Sequence, residues 1–203
     1  MATLQHLRLG PKDDGRPITL EEWETSSLAD GYRYEIIDGR LVVSPVPAQP
    51  HSWLAVYCYN MLWLFARANM EVINHVTWNA RVIVPGQRRL TYPEPDIAAY
   101  HNFPRRRQPH VKWTEVSPIL TVEVLSPDTA AKDLERNVEL YLLVSSIKEY
   151  WIVDGITNPD EPCMTVRRRW RQQWTIVDVP FNTVYTTRML PGFEFLMNPF
   201  EQD

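Results

Sequence analysis

With 203 residues, 44% of them hydrophobic, the chain is long enough to bury one sizeable core and short for two. A formal net charge of −4 argues against a globally basic nucleic-acid binder, although a local basic groove is compatible with it. Cys58 and Cys163 are the only cysteines and lie far apart, which argues against a disulfide framework or a cysteine-based zinc site and suits a reducing cytoplasm.

In chain order, residues 1–17 read as a loose leader without the apolar run of a signal peptide, at the start of a single domain spanning 1–203. Thr19-Leu-Glu-Glu22 has the spacing of a capping box, so a short helix is expected over about Leu20 to Ala29. Tyr32 to Ile37, the turn Asp38-Gly39 and Arg40 to Val43 predict a hairpin, since glycine tolerates positive φ in tight turns. A proline-broken loop, Pro45 to Pro50, leads into a helix over His51 to Ala68. Its most apolar stretch, Trp53 to Ala66, is shorter than the ~20 residues that cross a bilayer and reads as a buried helix.

Val72 to Val84 supplies one or two strands, Asp96 to Tyr100 a short one, and 101–118 a long basic loop. Ile119 to Leu125 is the clearest buried strand, apolar and β-branched except for Glu123. A helix from about Thr129 to Val144, a strand over Lys148 to Asp154, a hairpin over 164–179 and a strand over Phe193 to Met197 complete the chain. The unit 119–153 predicts a parallel strand–helix–strand crossover, with the remaining strands antiparallel.

Glu123 is the most informative residue, because a carboxylate on an apolar strand is costly to bury unless it is paired or binds a cation. Strand alternation puts Thr121, Glu123 and Leu125 on one face. Asp96 follows Glu94-Pro95 at a strand entrance, where a turn delivers its side chain to the end of the sheet. Two acids at neighbouring strand ends, with the Val124 carbonyl beside them, form a hard-oxygen pocket suited to Mg²⁺ or Mn²⁺. Glu35 is a candidate third carboxylate, and His51, at a helix start, a candidate phosphate contact.

Asp133, Asn137 and Tyr141 recur at intervals of four and share one helix face, with Arg136 about 100° away. Each of these residues also has an ordinary structural reading. Two basic clusters stand out: Arg105-Arg-Arg107 with His110 and Lys112, and Arg167-Arg-Arg169 with Arg171, interleaved with Trp170 and Trp174. The second reads as solvated surface.

Taken together, Tyr34-Glu-Ile-Ile-Asp-Gly-Arg-Leu-Val-Val-Ser-Pro45, His51, Glu94-Pro-Asp-Ile-Ala98, Val122-Glu-Val-Leu-Ser-Pro127, Tyr141 and Lys148-Glu-Tyr-Trp-Ile-Val-Asp154 resemble the Uma-two family, over roughly residues 19 to 195. That family is classed with the PD-(D/E)xK nucleases. The resemblance implies an α/β restriction-endonuclease-like core, a central mixed β-sheet flanked by helices, with an N-terminal helix and a β-hairpin added. It implies that Asp96 and Glu123, with the Val124 carbonyl, hold Mg²⁺ or Mn²⁺, that Glu35 is the acid of the first segment, and that the reaction is hydrolysis of DNA phosphodiesters. His51, Tyr141 and Arg136 are then expected near substrate.

One position departs from the pattern. The superfamily's lysine, two residues after the second acid, falls on Leu125, and the alternative on the following helix falls on Asn137. Asparagine orients water but carries no charge. Arg136 and Lys132 are the substitutes at hand, although neither shares the Asn137 face of an ideal helix. The alternative expectation is therefore a catalytically impaired module that binds nucleic acid or protein, and a third is a homodimer through the 164–179 hairpin. No membrane segment is expected.

Overall fold

The computed structural model describes residues 7–47, 51–78, 80–104, 111–128 and 130–201. Residues 7–17 are not the loose leader expected. Strand β1 (Arg8–Leu9) pairs in parallel with β2 (Ser27–Leu28), on either side of helix α1 (Leu20–Thr25). Leu9 is fully buried against Ile18, Trp23 and Tyr34. The Leu7-Arg8-Leu9 alternation is too short to be recognised as a strand alone, but it has an apolar face to bury once β2 lies alongside.

The capping box forms as expected, with the Glu22 amide donating to Thr19 Oγ1 at 3.2 Å and the Thr19 amide to Glu22 Oε2 at 3.0 Å. The helix stops at Thr25, short of Ala29, because Ser27 and Leu28 are taken by β2. Strands β3 (Tyr32–Ile37) and β4 (Arg40–Pro45) form the hairpin. Asp38 and Gly39 both have positive φ, 48° and 70°, as a two-residue mirror-image turn requires.

Helix α2 (His51–Ala68) and strands β5 (His75–Thr77), β6 (Ile97–Tyr100) and β7 (Leu120–Val124) follow. Of the expected 72–84 strands only β5 forms; Val82 and Val84 instead donate to the carbonyls of Pro93 and Thr91. The third helix, expected from about Thr129, is composite. A π-helical turn over Lys132–Arg136 runs into α3 (Asn137–Leu143), and Thr129 lies outside the described residues. Strands β8 (Glu149–Asp154), β9 (Cys163–Trp170) and β10 (Gln173–Val179) precede a terminal hairpin of β11 (Val184–Thr187) and β12 (Leu190–Leu196).

The central sheet has the order β10-β9-β8-β7-β6-β5. Only β7 and β8 pair in parallel, as the intervening helix demands, and the other pairs are antiparallel. Alternation divides β7 and β8 between two layers. Leu120, Val122, Val124, Trp151 and Val153 pack under α2 and the β11–β12 hairpin. Tyr150, Ile152 and Leu125 pack under α3 with Tyr141. Gly155 ends β8 where Leu54 of α2 crosses so closely that a Cβ would overlap it.

The second basic cluster is solvated surface in part: Trp170 and Arg171 are exposed, but Arg169 is not free in solvent. Arg169 stacks on Trp174, with 4.8 Å from Cζ to the ring centroid, and donates to the carbonyls of Tyr141, Leu142 and Val144 at 2.9 Å each. It thereby satisfies the orphan carbonyls at the end of α3. Arg168, on the opposite face, bonds Glu149 at 3.1 Å. In the first cluster Lys112 lies 3.4 Å from Glu24, while Arg105, Arg106, Arg107 and His110 lie outside the described residues. Cys58 and Cys163 are both free. Among the described residues no helix is long and apolar enough to cross a membrane.

Candidate active site

The site lies on the α3 face of the sheet, where β6 and β7 begin and end side by side. Ile97 pairs with Val122, which places Asp96 next to Glu123. Pro93 and Pro95 deny the chain two amide donors before β6, so the strand starts only at Ile97 and Asp96 stays at its mouth. The two acids meet: the Asp96 amide donates to Glu123 Oε2 at 3.3 Å. Asp96 Oδ2 accepts from the Val124 amide at 2.7 Å and lies 3.1 Å from His51 Nε2, while Oδ1 accepts from Arg33. Val124 thus supplies its amide to the site, a contact that the expectation of a carbonyl ligand did not include.

Glu123 is fully buried. Its Oε1 accepts from Asn137 Nδ2 and from the Tyr141 hydroxyl, both at 3.0 Å. The same Asn137 amide donates to Asp133 Oδ1 at 3.0 Å. Asn137 and Tyr141 therefore stand beneath the acids as expected of one helix face, but both are 0% exposed. Tyr141, expected near substrate, is buried with its hydroxyl on Glu123.

Glu35, the candidate third carboxylate, is paired with cations. Arg136 grips it with Nη2 3.0 and 2.8 Å from its two oxygens, Lys132 Nζ lies 3.6 Å away, and the Glu94 amide donates to it at 3.2 Å. Arg136, expected at substrate, is committed to this ion pair and to Asn137 Oδ1 at 3.1 Å. Among the described residues no three histidine, cysteine, aspartate or glutamate side chains converge in a way that alone would hold a metal ion.

The π-helical turn explains how one helix serves all these partners. The Asn137 amide reaches back five residues to the Lys132 carbonyl, which widens the turn relative to the α-helix. Asp133 and Asn137 still face Glu123, while Lys132 and Arg136 are swung toward Glu35 on the same side. Lys132 Nζ lies 3.4 Å from Asp133 Oδ1. An ideal helix drawn from the sequence puts these cations off the Asn137 face, and no residue in the segment announces the π turn. Arg33 was also missed, yet a signal existed: it sits two residues before Glu35 on β3 and so shares its face.

The electrostatics separate the two central acids. Burial opposes ionisation of Asp96, but the Arg33 guanidinium, then His51 and the Val124 amide, outweigh it and hold the carboxyl well below the usual carboxylate range. Burial, followed by the charge of Asp133, pushes Glu123 well above that range. For Lys132, burial is outweighed by Glu123, Glu35 and Asp133, so its pKa is raised and it stays cationic. Burial also works against Glu35, but Lys132 and Arg136 prevail and lower its pKa. Paired acids pushed in opposite directions occur at functional sites, and buried ion-pair networks produce such shifts as well.

A cavity of about 340 Å³, lined by Arg33, His51, Trp78, Glu94 and Asp96 among others, gives access to the Asp96 side of the pair. The donor set fits a hard divalent cation: two carboxylates suffice for Mg²⁺, which keeps several waters and takes phosphate oxygens as further ligands. A cation there would also relieve the like charges of Asp96, Glu123 and Asp133.

The fold is similar to the crystal structure of a putative nuclease belonging to DUF820 from Anabaena variabilis ATCC 29413, at 20% identity over 89% of this chain and 96% of that chain, with a TM-score of 0.66. At that identity the likeness concerns the fold: a mixed α/β architecture around a six-stranded sheet. Among curated proteins none matches this chain. Residues 19–198 match the family described as "Putative restriction endonuclease", and the chain belongs to that family, Uma2.

Proposed function

We propose that this chain is a metal-dependent endonuclease that hydrolyses phosphodiester bonds of DNA, with Asp96 and Glu123 holding Mg²⁺ or Mn²⁺ and Lys132 supplying the positive charge absent from positions 125 and 137. The observation that carries the reading is the convergence of Asp96, Glu123 and a largely buried Lys132 in one cluster, beside a cavity that reaches Asp96. When bound, the metal supplies Lewis-acid polarisation of the phosphate and a more acidic water.

The chain's own residues do the rest. Asn137 and Tyr141 hold Glu123 in one orientation through two hydrogen bonds to the same oxygen. The Val124 amide and His51 fix Asp96. Lys132, kept protonated by the surrounding acids, offsets charge that builds on the phosphate oxygens; its raised pKa argues against a role as proton acceptor. Glu35 holds Lys132 and Arg136 in place.

Plasmid nicking in Mg²⁺ or Mn²⁺ tests the proposal. The wild type nicks and Asp96→Ala does not; equal nicking by the two, or none by the wild type, sinks it. One observation favours a second reading, a nuclease-fold module that binds without cutting: both Asp96 oxygens already engage partners, Arg33 on one and His51 and Val124 on the other. A metal ligated by Asp96 has to share or replace the Arg33 contact. Calorimetry separates the readings, since Mn²⁺ binding lost in Asp96→Ala contradicts the second.

A further inference from the structure

Helix α2 is unusual in having an outer face that is largely apolar. Leu54, Cys58, Leu62 and Ala66 point into the core. On the opposite side Trp53, Val56, Asn60, Trp63, Leu64 and Arg67 are exposed, at intervals of three and four residues. Val56 is 46% and Leu64 57% exposed. The stretch is therefore not the fully buried helix that its composition predicts. A solvated helix face of this length ordinarily carries several charges, whereas α2 has only Arg67 in its 18 residues. Phe200 extends the patch, 5.0 Å from Trp53; at its edge Val56 and Trp78, the latter 4.2 Å from Tyr59, also line the cavity beside Asp96. A contiguous apolar patch of this kind marks an interaction surface.

The order of residues along the stripe says what covers it. Asn60 sits midway between Trp53 and Arg67, and also midway between Val56 and Leu64. If a second α2 packs against it antiparallel, on a two-fold axis at Asn60, two pairs of stripe residues and Asn60 itself meet complements, while Trp63 lies opposite the partner's Tyr57. Val56 faces Leu64 of the partner subunit, and Trp53 faces Arg67 of the partner subunit, an aromatic ring against a guanidinium. Arg67 is already held flat along the face, with its Cζ 4.9 Å over Trp63. Asn60 faces its own copy, and an amide is self-complementary because it carries both donors and an acceptor. A single buried asparagine of this kind sets register and orientation between paired helices.

We infer that the chain forms a homodimer through α2, antiparallel about Asn60. A nucleic-acid strand is a poorer occupant, since phosphates call for cations and the stripe offers one. The 164–179 hairpin expected from sequence is also a poorer interface, because its Arg168 and Arg169 are already committed to Glu149 and to the end of α3. The isologous arrangement needs no charge compensation across the axis.

Light scattering on the full chain, with site-directed cross-linking in a Cys163→Ser background, tests this. A dimer is expected at micromolar concentration. Asn60→Asp sets two carboxylates on the axis and Val56→Arg removes an apolar pair; each is expected to weaken dimerisation at least ~10-fold with circular dichroism unchanged, since both side chains are exposed. Oxidation is expected to join Asn60→Cys chains covalently but not Arg67→Cys chains, whose substituted positions lie about 21 Å apart along the axis, beyond disulfide reach. A monomer at these concentrations overturns the inference, as does equal cross-linking of the two variants. A monomer that loses oligonucleotide affinity in Trp63→Ala also overturns it and assigns the face to nucleic acid.

Discussion

The central sheet buries two glutamates on adjacent strands, one on each face, and they have opposite characters. Glu149, on β8, looks toward α2 and the terminal hairpin. It accepts from Trp151 Nε1 at 2.9 Å, Arg168 Nε at 3.1 Å, the Tyr185 hydroxyl at 3.0 Å and Thr187 Oγ1 at 2.5 Å. These donors come from β8, β9 and β11, so one carboxylate ties three strands of two sheets together. Glu123, on β7, looks the other way, accepts only from neutral donors, and shares its pocket with Asp96 and Asp133. Among the described residues no lysine, arginine or histidine forms an ion pair with it. Burial of a carboxylate is common to both; what differs is whether the neighbours satisfy the charge or crowd it. Glu149 is a structural clamp, and Glu123 is in a state that favours a proton or a cation.

Substitutions on the two faces can break this contrast. The largest effect expected is on activity: Asp96→Ala reduces plasmid nicking to background, while Glu149→Gln keeps the wild-type rate per folded molecule. A Glu149→Gln enzyme as inactive as Asp96→Ala would dissolve the distinction. Next, Lys132→Met is expected to lower single-turnover cleavage by ~10²–10³-fold, the usual effect of removing one electrostatic donor from a transition state. A change of only a few-fold would remove Lys132 from the proposed chemistry.

Stability should then separate the two glutamates. In Glu149→Gln the amide retains one acceptor where four donors converge and loses the charge that holds Arg168, at a cost of ~3 kcal/mol. Calorimetry would show this as a melting temperature about 6–12 °C lower for a chain of this size. At Glu35 the effect is smaller and depends on pH. Its carboxyl is held below the ordinary carboxylate range, so its contribution is present above about pH 4.3 and disappears as pH falls through the lowered value. Glu35→Gln is therefore expected to cost ~2 kcal/mol near neutrality and almost nothing at strongly acid pH. A pH-independent difference in urea midpoints would show that Glu35 acts through shape instead. The smallest effect belongs to Glu123→Gln, which removes like-charge crowding and leaves the melting temperature unchanged or higher, as is usual where function is held at the expense of stability.

The contrast also shows how far the sequence could be read. Val122-Glu123-Val124 and Lys148-Glu149-Tyr150 look alike as acids at the start or middle of apolar strands, and the family resemblance implies a metal-binding role for the first alone. Nothing local in the chain shows that Glu149 will meet Tyr185 and Thr187, because those donors arrive more than thirty residues later from another sheet. The same holds for Arg169, read as surface until the end of α3 is seen to lie under it.

The family resemblance implied the meeting of Asp96 with Glu123; by itself the sequence determined the alternating faces of β7 and β8, the Asp38-Gly39 turn, the capped first helix and the parallel crossover. Each follows from backbone geometry with a short period, or from a turn whose residues admit few conformations. Only the tertiary structure decided that Glu35 is paired with cations, that Lys132 enters the site, and that the outer face of α2 stays open. The first two depend on a π-helical turn from which Lys132 and Arg136 both reach Glu35. The third depends on which side of a mostly apolar helix the sheet covers, and only Asn60 and Arg67 mark the outer side of the stripe.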